Sequence, residues 1–209
     1  IAIGHQLERC LPNYFGQFIT QIGIGLDQNW LATSPIKNQY MVSTVLNTSN
    51  VDIYTRMYQL PFDSDSIDVL FLPFIFELTP DYSRLMLEID RVLKPTGYLL
   101  VCGVNPISLW GLPFLSRQHS HDCGVWDGHA MGAIKLRGLL QKRGYQTEFV
   151  RRFFFSPPMR LQRRTEHFYE QMGRMILPYP GGLYLLSVQK YKSQRTFVGP
   201  HFQSYLCSS

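Results

Sequence analysis

Residues 60–104 read LPFDSDSIDVLFLPFIFELTPDYSRLMLEIDRVLKPTGYLLVCGV. The run 67–72 is apolar apart from Asp68 and too short for a core helix, which predicts a strand covered on both faces. A helix follows, because Thr79 can cap it, Pro80 suits its first position, and apolar residues then recur at helical spacing. The Lys-Pro-Thr-Gly turn at 94–97 ends that helix and leads into a strand at 98–104. The stretch therefore predicts a strand–helix–strand unit of a parallel sheet.

The flanking sequence predicts further elements of the same kind. Short runs rich in β-branched and aromatic residues predict strands, and amphipathic runs predict helices. The predicted strands are 18–24, 39–44, 51–55, 146–155 and 183–189, and the predicted helices are 2–11, 133–143 and 161–176. This order indicates a doubly wound α/β sheet with right-handed crossovers. We expect one domain over 1–191 and a polar C-terminal tail over 192–209, since 209 residues suit one core of this type.

Composition narrows the class of protein. No apolar run approaches the roughly 18 to 20 residues that a membrane-spanning helix needs, so we expect no transmembrane segment. The four cysteines are scattered and no signal sequence opens the chain, which predicts reduced thiols and a cytoplasmic location. Two histidines and a cysteine, His119, His121 and Cys123, lie in one loop without a distant partner motif, so no metal site is predicted.

The net charge of +5 is concentrated in residues 151–209, which hold nine Lys/Arg against two acids. Five of these arginines lie near Phe153, Phe154 and Phe155, a mixture also found in nucleic-acid and membrane-surface binders. The simpler interpretation is a buried strand with a solvated basic flank, and we do not expect nucleic acid as a partner. The oligomeric state is not predicted.

A glycine turn follows the first predicted strand. Gly23 and Gly25 stand where that strand ends. Because glycine has no Cβ and tolerates positive φ, such a turn lets the main chain approach a ligand closely. The sequence thus places a candidate binding site at this end of the sheet.

Four segments together resemble the class I S-adenosylmethionine-dependent methyltransferases, in particular a bacterial branch of methyltransferase-domain proteins. They are LPFDSDSIDVL at 60–70, EIDRVLKPTGYL at 88–99, NPISLWG at 105–111 and GGLYLL at 181–186. The resemblance implies a Rossmann-like, mostly parallel sheet of seven strands with an antiparallel last strand. It also implies S-adenosylmethionine as cofactor, bound in a cleft at the carboxyl ends of the first strands.

The resemblance further implies which positions face the cofactor, and several depart from the family pattern. An acid usually opens the glycine turn, but Gln21 stands there, and Asp27 replaces a third glycine. Strand two ends near Ser43 without the carboxylate that holds the ribose hydroxyls. Arg56, which can only donate, stands where an acid accepts from the adenine amino group. The cofactor-binding residues implied are Gln21, Gly23, Gly25, Ser43, Arg56, Met57, Leu72 and Phe74.

Substrate contacts are expected after the fifth strand of the sheet. Asn105 and Trp110 follow that strand at the carboxyl edge, where open α/β folds bind ligands, and His129 is a candidate general base. Phe74 and Glu77 lie where the family places residues facing cofactor and substrate. Glu77 is alternatively a solvated turn carboxylate or a helix cap.

Two functions follow from these observations. The first is a methyltransferase that acts on a small or lipid-like molecule. The second is a catalytically inactive protein of the same fold that serves as a ligand- or protein-binding module. Stabilisation by S-adenosylhomocysteine separates them, because a ligand that binds only the folded state raises the melting temperature.

Overall fold

A computed structural model describes residues 2–23, 28–45, 50–108, 131–154 and 181–191. The predicted helix 161–176 and the tail 192–209 lie outside these residues, so the domain boundary at 191 stays a prediction.

The described residues form four α-helices and seven strands. A 3-10 turn, Leu11–Asn13, follows the first helix. The helices are α1 Ala2–Glu8, α2 Ile75–Leu78, α3 Tyr82–Val92 and α4 Ala133–Lys142. The strands are β1 Phe18–Gly23, β2 Asn38–Ser43, β3 Ile53–Tyr54, β4 Ile67–Pro73, β5 Leu93–Val104, β6 Tyr145–Phe153 and β7 Leu183–Lys190.

All seven strands form one sheet in the order β3-β2-β1-β4-β5-β7-β6. Strands β1 to β5 are parallel to one another, whereas β7 runs antiparallel to both β5 and β6. The predicted fold class is therefore confirmed. The strand order reverses between β1 and β4, and ligands of open α/β sheets bind at such a switch point, beyond the carboxyl ends of the strands.

Apolar side chains cover both faces of the sheet. On one face, α3 and α4 bury Leu85, Ile89 and Leu136 against the strands. On the other, α1 buries Leu7, while Trp30 packs edge-on against Phe71 of β4 at 5.9 Å between ring centroids. No helix lies in the described part of the β1–β2 connection, residues 28–37, so a coil segment covers this face there.

The start of α3 differs from the prediction. Asp81, not Thr79, is the N-cap, because its Oδ1 accepts hydrogen bonds from the amides of Ser83 and Arg84 at 3.1 Å each. Thr79 instead donates its hydroxyl to the carbonyl of Ile75 at 2.6 Å, which ends α2. Pro80 therefore lies before α3 and not at its first position as predicted, and α2 was not predicted because a single turn is too short to show periodicity.

Strand β5 begins at Leu93, before the Lys-Pro-Thr-Gly turn that was predicted to precede it. Leu93 pairs with Ile67, and the register shifts before Val69 pairs with Tyr98. Asp68 lies at this irregularity, accepts from the amides of Gln17 and Phe18, and binds Lys94 at 2.7 Å. The Lys-Pro-Thr-Gly segment is therefore an irregularity within β5 and not a turn before it, because β5 pairs with β4 on both sides of the segment.

No helix in the described part of the chain has the length and apolar character that crossing a membrane requires. Of the four cysteines, Cys10 and Cys102 are free and buried, and the other two lie outside the described residues.

Candidate functional site

The carboxyl ends of four adjacent strands bring predicted site residues to one edge of the sheet. Gly23 ends β1 and pairs with Ser43, which ends β2. Phe74 directly follows β4, and Asn105 directly follows β5. Because β2, β1, β4 and β5 are neighbours in this order, the four residues border a common edge.

Gln21 of β1 holds the chain beyond the glycine turn. Its side chain, 2% exposed, donates from Nε2 to the carbonyl of Gln28 at 2.8 Å. Its Oε1 accepts from the amide of Trp30 at 3.1 Å. The amide that stands in place of the family's acid therefore bonds the protein's own main chain at residues 28 and 30. Gly25 and Asp27 lie outside the described residues.

Ser43 is buried at the end of β2. Its hydroxyl exchanges hydrogen bonds with the main chain of Val45, at 3.1 Å to both the carbonyl and the amide. The carbonyl of Ser43 accepts from the amide of Thr55 at 3.0 Å, and the amide of Thr44 donates to the carbonyl of Gly23 at 3.4 Å. A hydroxyl that turns the chain thus stands where the family has a ribose-binding carboxylate.

Arg56 and Met57 lie in the turn between β3 and β4. Arg56 is exposed and forms an isolated bridge with Gln59. Met57 is half-buried, and its Sδ lies 2.6 Å from the hydroxyl oxygen of Thr79. The half-buried thioether leaves apolar surface in this turn.

The two predicted apolar walls of β4 differ in position. Leu72 has no exposed surface and belongs to the core on the side of α3 and α4, so it packs inside the protein and does not line the edge. Phe74 is half-buried with φ 55°, and its amide donates to the carbonyl of Cys102 at 2.8 Å. A non-glycine residue at positive φ is strained by about 1 to 3 kcal/mol, and such strain gathers at functional sites.

Glu77 of α2 is entirely buried, which excludes the solvated turn carboxylate considered above. Its Oε1 accepts from the amide of Val104 at 2.9 Å, while Oε2 has no hydrogen-bond partner among the described residues. Burial raises the pKa of Glu77 to about 7, and the backbone amides of Val104 and Glu77 itself lower it less strongly.

Asn105 uses its polar groups inside the protein. Its Nδ2 donates to the carbonyl of Gly181 at 3.0 Å, and its amide donates to the carbonyl of Gly182 at 2.9 Å. Its Oδ1 accepts from the amide of Ile107 at 3.3 Å. Asn105 therefore ties the end of β5 to the start of β7 and shapes the border of the edge.

Other predicted groups lie outside the described residues: Trp110, His129, His119, His121 and Cys123. Within the described ranges, no group of three or more His, Cys, Asp or Glu could hold a metal ion.

Sequence reasoning did not single out the contact of Gly103 with Tyr184. A Cβ on Gly103 would lie 2.4 Å from Oε1 of Glu77 and 2.5 Å from the hydroxyl oxygen of Tyr184, so only glycine fits. The available signal was a glycine inside an otherwise apolar strand, which marks the close approach of another group.

Comparison with known proteins gives three kinds of match. Residues 16–101 match the family model described as a methyltransferase domain. Over 112 residues the chain is 32% identical to the uncharacterised protein YafS of Escherichia coli K12. That match covers 53% of this chain and 45% of the relative, so less than half of the relative's own length is matched.

Solved methyltransferase structures share the fold at low sequence identity. A methyltransferase from Thermotoga maritima, dependent on S-adenosylmethionine, superposes with a TM-score of 0.65 at 19% identity, covering 90% of this chain and 88% of that one. One from Archaeoglobus fulgidus gives 0.61 at 13%, covering 90% and 93%. The geranyl diphosphate C-methyltransferase of Streptomyces coelicolor A3(2), solved with S-adenosyl-L-homocysteine, gives 0.57 at 12%, covering 89% and 76%.

Residues 16–101 thus resemble a methyltransferase domain in sequence, and the sheet has the fold of solved S-adenosylmethionine-dependent methyltransferases.

Proposed function

We propose that the chain binds S-adenosylmethionine at the carboxyl edge of β1, β2 and β4 and transfers its methyl group to a small or lipid-like molecule. The observation that carries this proposal is the position of Gly23 between the ends of β2 and β4, at the switch point of a sheet with methyltransferase strand order. That is where this fold class admits a nucleoside.

The residues at the edge fit an adenosyl group through the main chain more than through charged side chains. Gly23 allows close approach of the backbone, and Gln21 fixes the following segment by its bonds to Gln28 and Trp30. Met57 and Phe74 offer half-buried apolar surface for a purine. Ser43 can meet a ribose hydroxyl, though as a neutral group.

When bound, the cofactor supplies an activated methyl group. The role of the protein's own residues is to orient the acceptor beside it and exclude water, since displacement at a methyl carbon depends mainly on alignment. We assign this role to the border formed by Phe74 and Asn105. Ile107 lies just after β5 and Ile134 lies in the first turn of α4, and both side chains are exposed. These exposed apolar side chains support a methyl acceptor with apolar surface.

The missing carboxylates predict weak cofactor binding. An unmade hydrogen bond to a buried polar group costs about 1 to 3 kcal/mol. Two such losses, at the positions of Ser43 and Arg56, would raise the dissociation constant by roughly 30-fold to 20,000-fold relative to a methyltransferase that has both acids.

A restoration experiment tests the proposal. Arg56→Asp supplies an acceptor at the adenine position, and since Arg56 is exposed the change should leave folding intact. We expect S-adenosylhomocysteine to raise the melting temperature of the wild type at millimolar concentration, and of R56D at a concentration about tenfold lower.

The control is Arg9→Asp, an equal charge change at an exposed residue just after α1. It should leave the ligand response as in the wild type. No stabilisation of either the wild type or R56D at millimolar ligand would refute cofactor binding. An equal gain in R9D would show a general charge effect instead.

A further inference from the structure

Glu77 is enclosed between three elements at the carboxyl side of the sheet. It lies on α2, directly after β4, with no exposed surface. Its carboxyl lies against Gly103 of β5, where the absence of a Cβ leaves room for it, and Tyr184 of β7 approaches the same position. The carboxyl group is thus held by packing on β5 and β7 and is shielded from water.

Among the described residues, one of the two carboxyl oxygens of Glu77 has a hydrogen-bond partner. Oε1 accepts from the amide of Val104 at 2.9 Å, and Oε2 has no partner within the described ranges. A carboxylate accepts a hydrogen bond from an amide more strongly than a neutral acid does. The bond to Val104 therefore depends on whether Glu77 carries a proton.

The groups around Glu77 favour the neutral acid. Among the described residues, the titratable groups that face it are Cys102 of β5 and Tyr184 of β7, whose pKa values burial raises well above their usual range, so both are uncharged near neutrality. Tyr184 donates its hydroxyl to the carbonyl of Met131 at 2.7 Å, just before α4. Among the described lysines and arginines none pairs with Glu77.

Val104 and Asn105 form a corner where β5 ends, and hydrogen bonds to the residues just before β7 hold this corner. Asn105, the next residue, is fixed to Gly181 and Gly182 by two hydrogen bonds. Gly181 in turn packs so closely on Phe153 that a Cβ would lie 2.6 Å from its carbonyl oxygen. Because Val104 and Asn105 share a peptide bond, a change in the hydrogen bond between Glu77 and Val104 also acts on Asn105.

We propose that Glu77 is a positioning residue whose protonation state sets the geometry of residues 104 and 105, and through them the border of the methyl-acceptor position. The link to the methyl acceptor rests on the proposed function. The link between Glu77 and the corner rests on the contacts alone, and the two can fail separately.

A pH titration followed by NMR tests the assignment. In labelled wild-type protein, we expect the Glu77 side-chain carbon and the amides of Val104 and Asn105 to shift with one midpoint near pH 7. Glu77→Gln keeps an oxygen for the Val104 amide but cannot ionise, so the shifts of both amides should vanish. Glu8→Gln, at an exposed site on α1, is the matched control and should leave them unchanged.

Two results would overturn the inference. One is a wild type in which Glu77 titrates without a parallel shift of the Val104 and Asn105 amides, a measurement that needs no variant to fold. The other is persistence of both amide shifts in E77Q. Stabilisation by S-adenosylhomocysteine is measured on the same sample: its absence would refute the proposed function, while coupled titration would still establish Glu77 as the residue that sets the corner.

Discussion

Several neutral side chains at the carboxyl edge of the sheet form hydrogen bonds within the protein. The side-chain amides of Gln21 and Asn105 form hydrogen bonds with the protein's own main chain, and so does the hydroxyl of Ser43. The sequence showed that the acids of the family pattern were replaced. It could not show what the replacements bond, because those partners lie across the turn or across the sheet, up to 76 positions away.

Glu77 should make the stability of the protein depend on pH. Its pKa in the folded state is about 7, above the ordinary value of 4.5, so the folded state binds this proton more tightly than the unfolded state. The resulting stabilisation is fully present below about pH 4.5 and is lost as the pH rises through about 7. It amounts to something on the order of 3 kcal/mol.

Chemical denaturation at pH values across this window measures the effect. We expect the free energy of unfolding of the wild type to fall between mildly acidic and mildly alkaline buffer, and that of E77Q to fall by less. E8Q should follow the wild type. Parallel curves for the wild type and E77Q would show that Glu77 is ionised in the folded protein throughout.

At the scale of elements, prediction succeeded where periodicity or burial is continuous. Strand β4 and helix α4 were placed to within one or two residues, because a buried apolar run and a helical repeat are local signals. The short helix α2 and the early start of β5 were missed. Helix α2 is a single turn and too short to show periodicity, whereas the early start of β5 depends on the pairing of Leu93 with Ile67 in another strand.

The cap of α3 gives a prediction at this scale. Asp81→Ala removes the acceptor for the amides of Ser83 and Arg84 and should lower the free energy of unfolding by about 0.5 to 2 kcal/mol. Asp81→Asn keeps an acceptor oxygen and should lose only a fraction of that. Denaturant titration compares them; equal losses in the two variants would show that the charge, and not the cap, stabilises α3.

For the whole molecule, the sheet order confirms the architecture that the sequence predicted, while the site remains a proposal. The prediction of seven strands with an antiparallel last strand came from the resemblance carried by the segments at 60–70, 88–99, 105–111 and 181–186. No element was predicted over 28–37, and the sequence did not show that this coil covers the sheet, because Trp30 is buried by contacts with distant residues such as Phe71. The sheet thus has the strand order of methyltransferases, while the carboxyl edge has Gln21, Ser43 and Arg56 where the family pattern has acids.

The proposed function depends on a contact between the main chain at the end of β1 and the nucleoside, with Gln21, Ser43 and Arg56 in place of the family's acids. A crystal structure of the protein grown with millimolar S-adenosylhomocysteine tests it most directly. We predict the adenosine at the carboxyl edge, with its ribose beside Gly23 and Ser43 and its purine near Met57 and Phe74. Ligand bound elsewhere, or an edge filled by the protein's own side chains at saturating ligand, would contradict the claim.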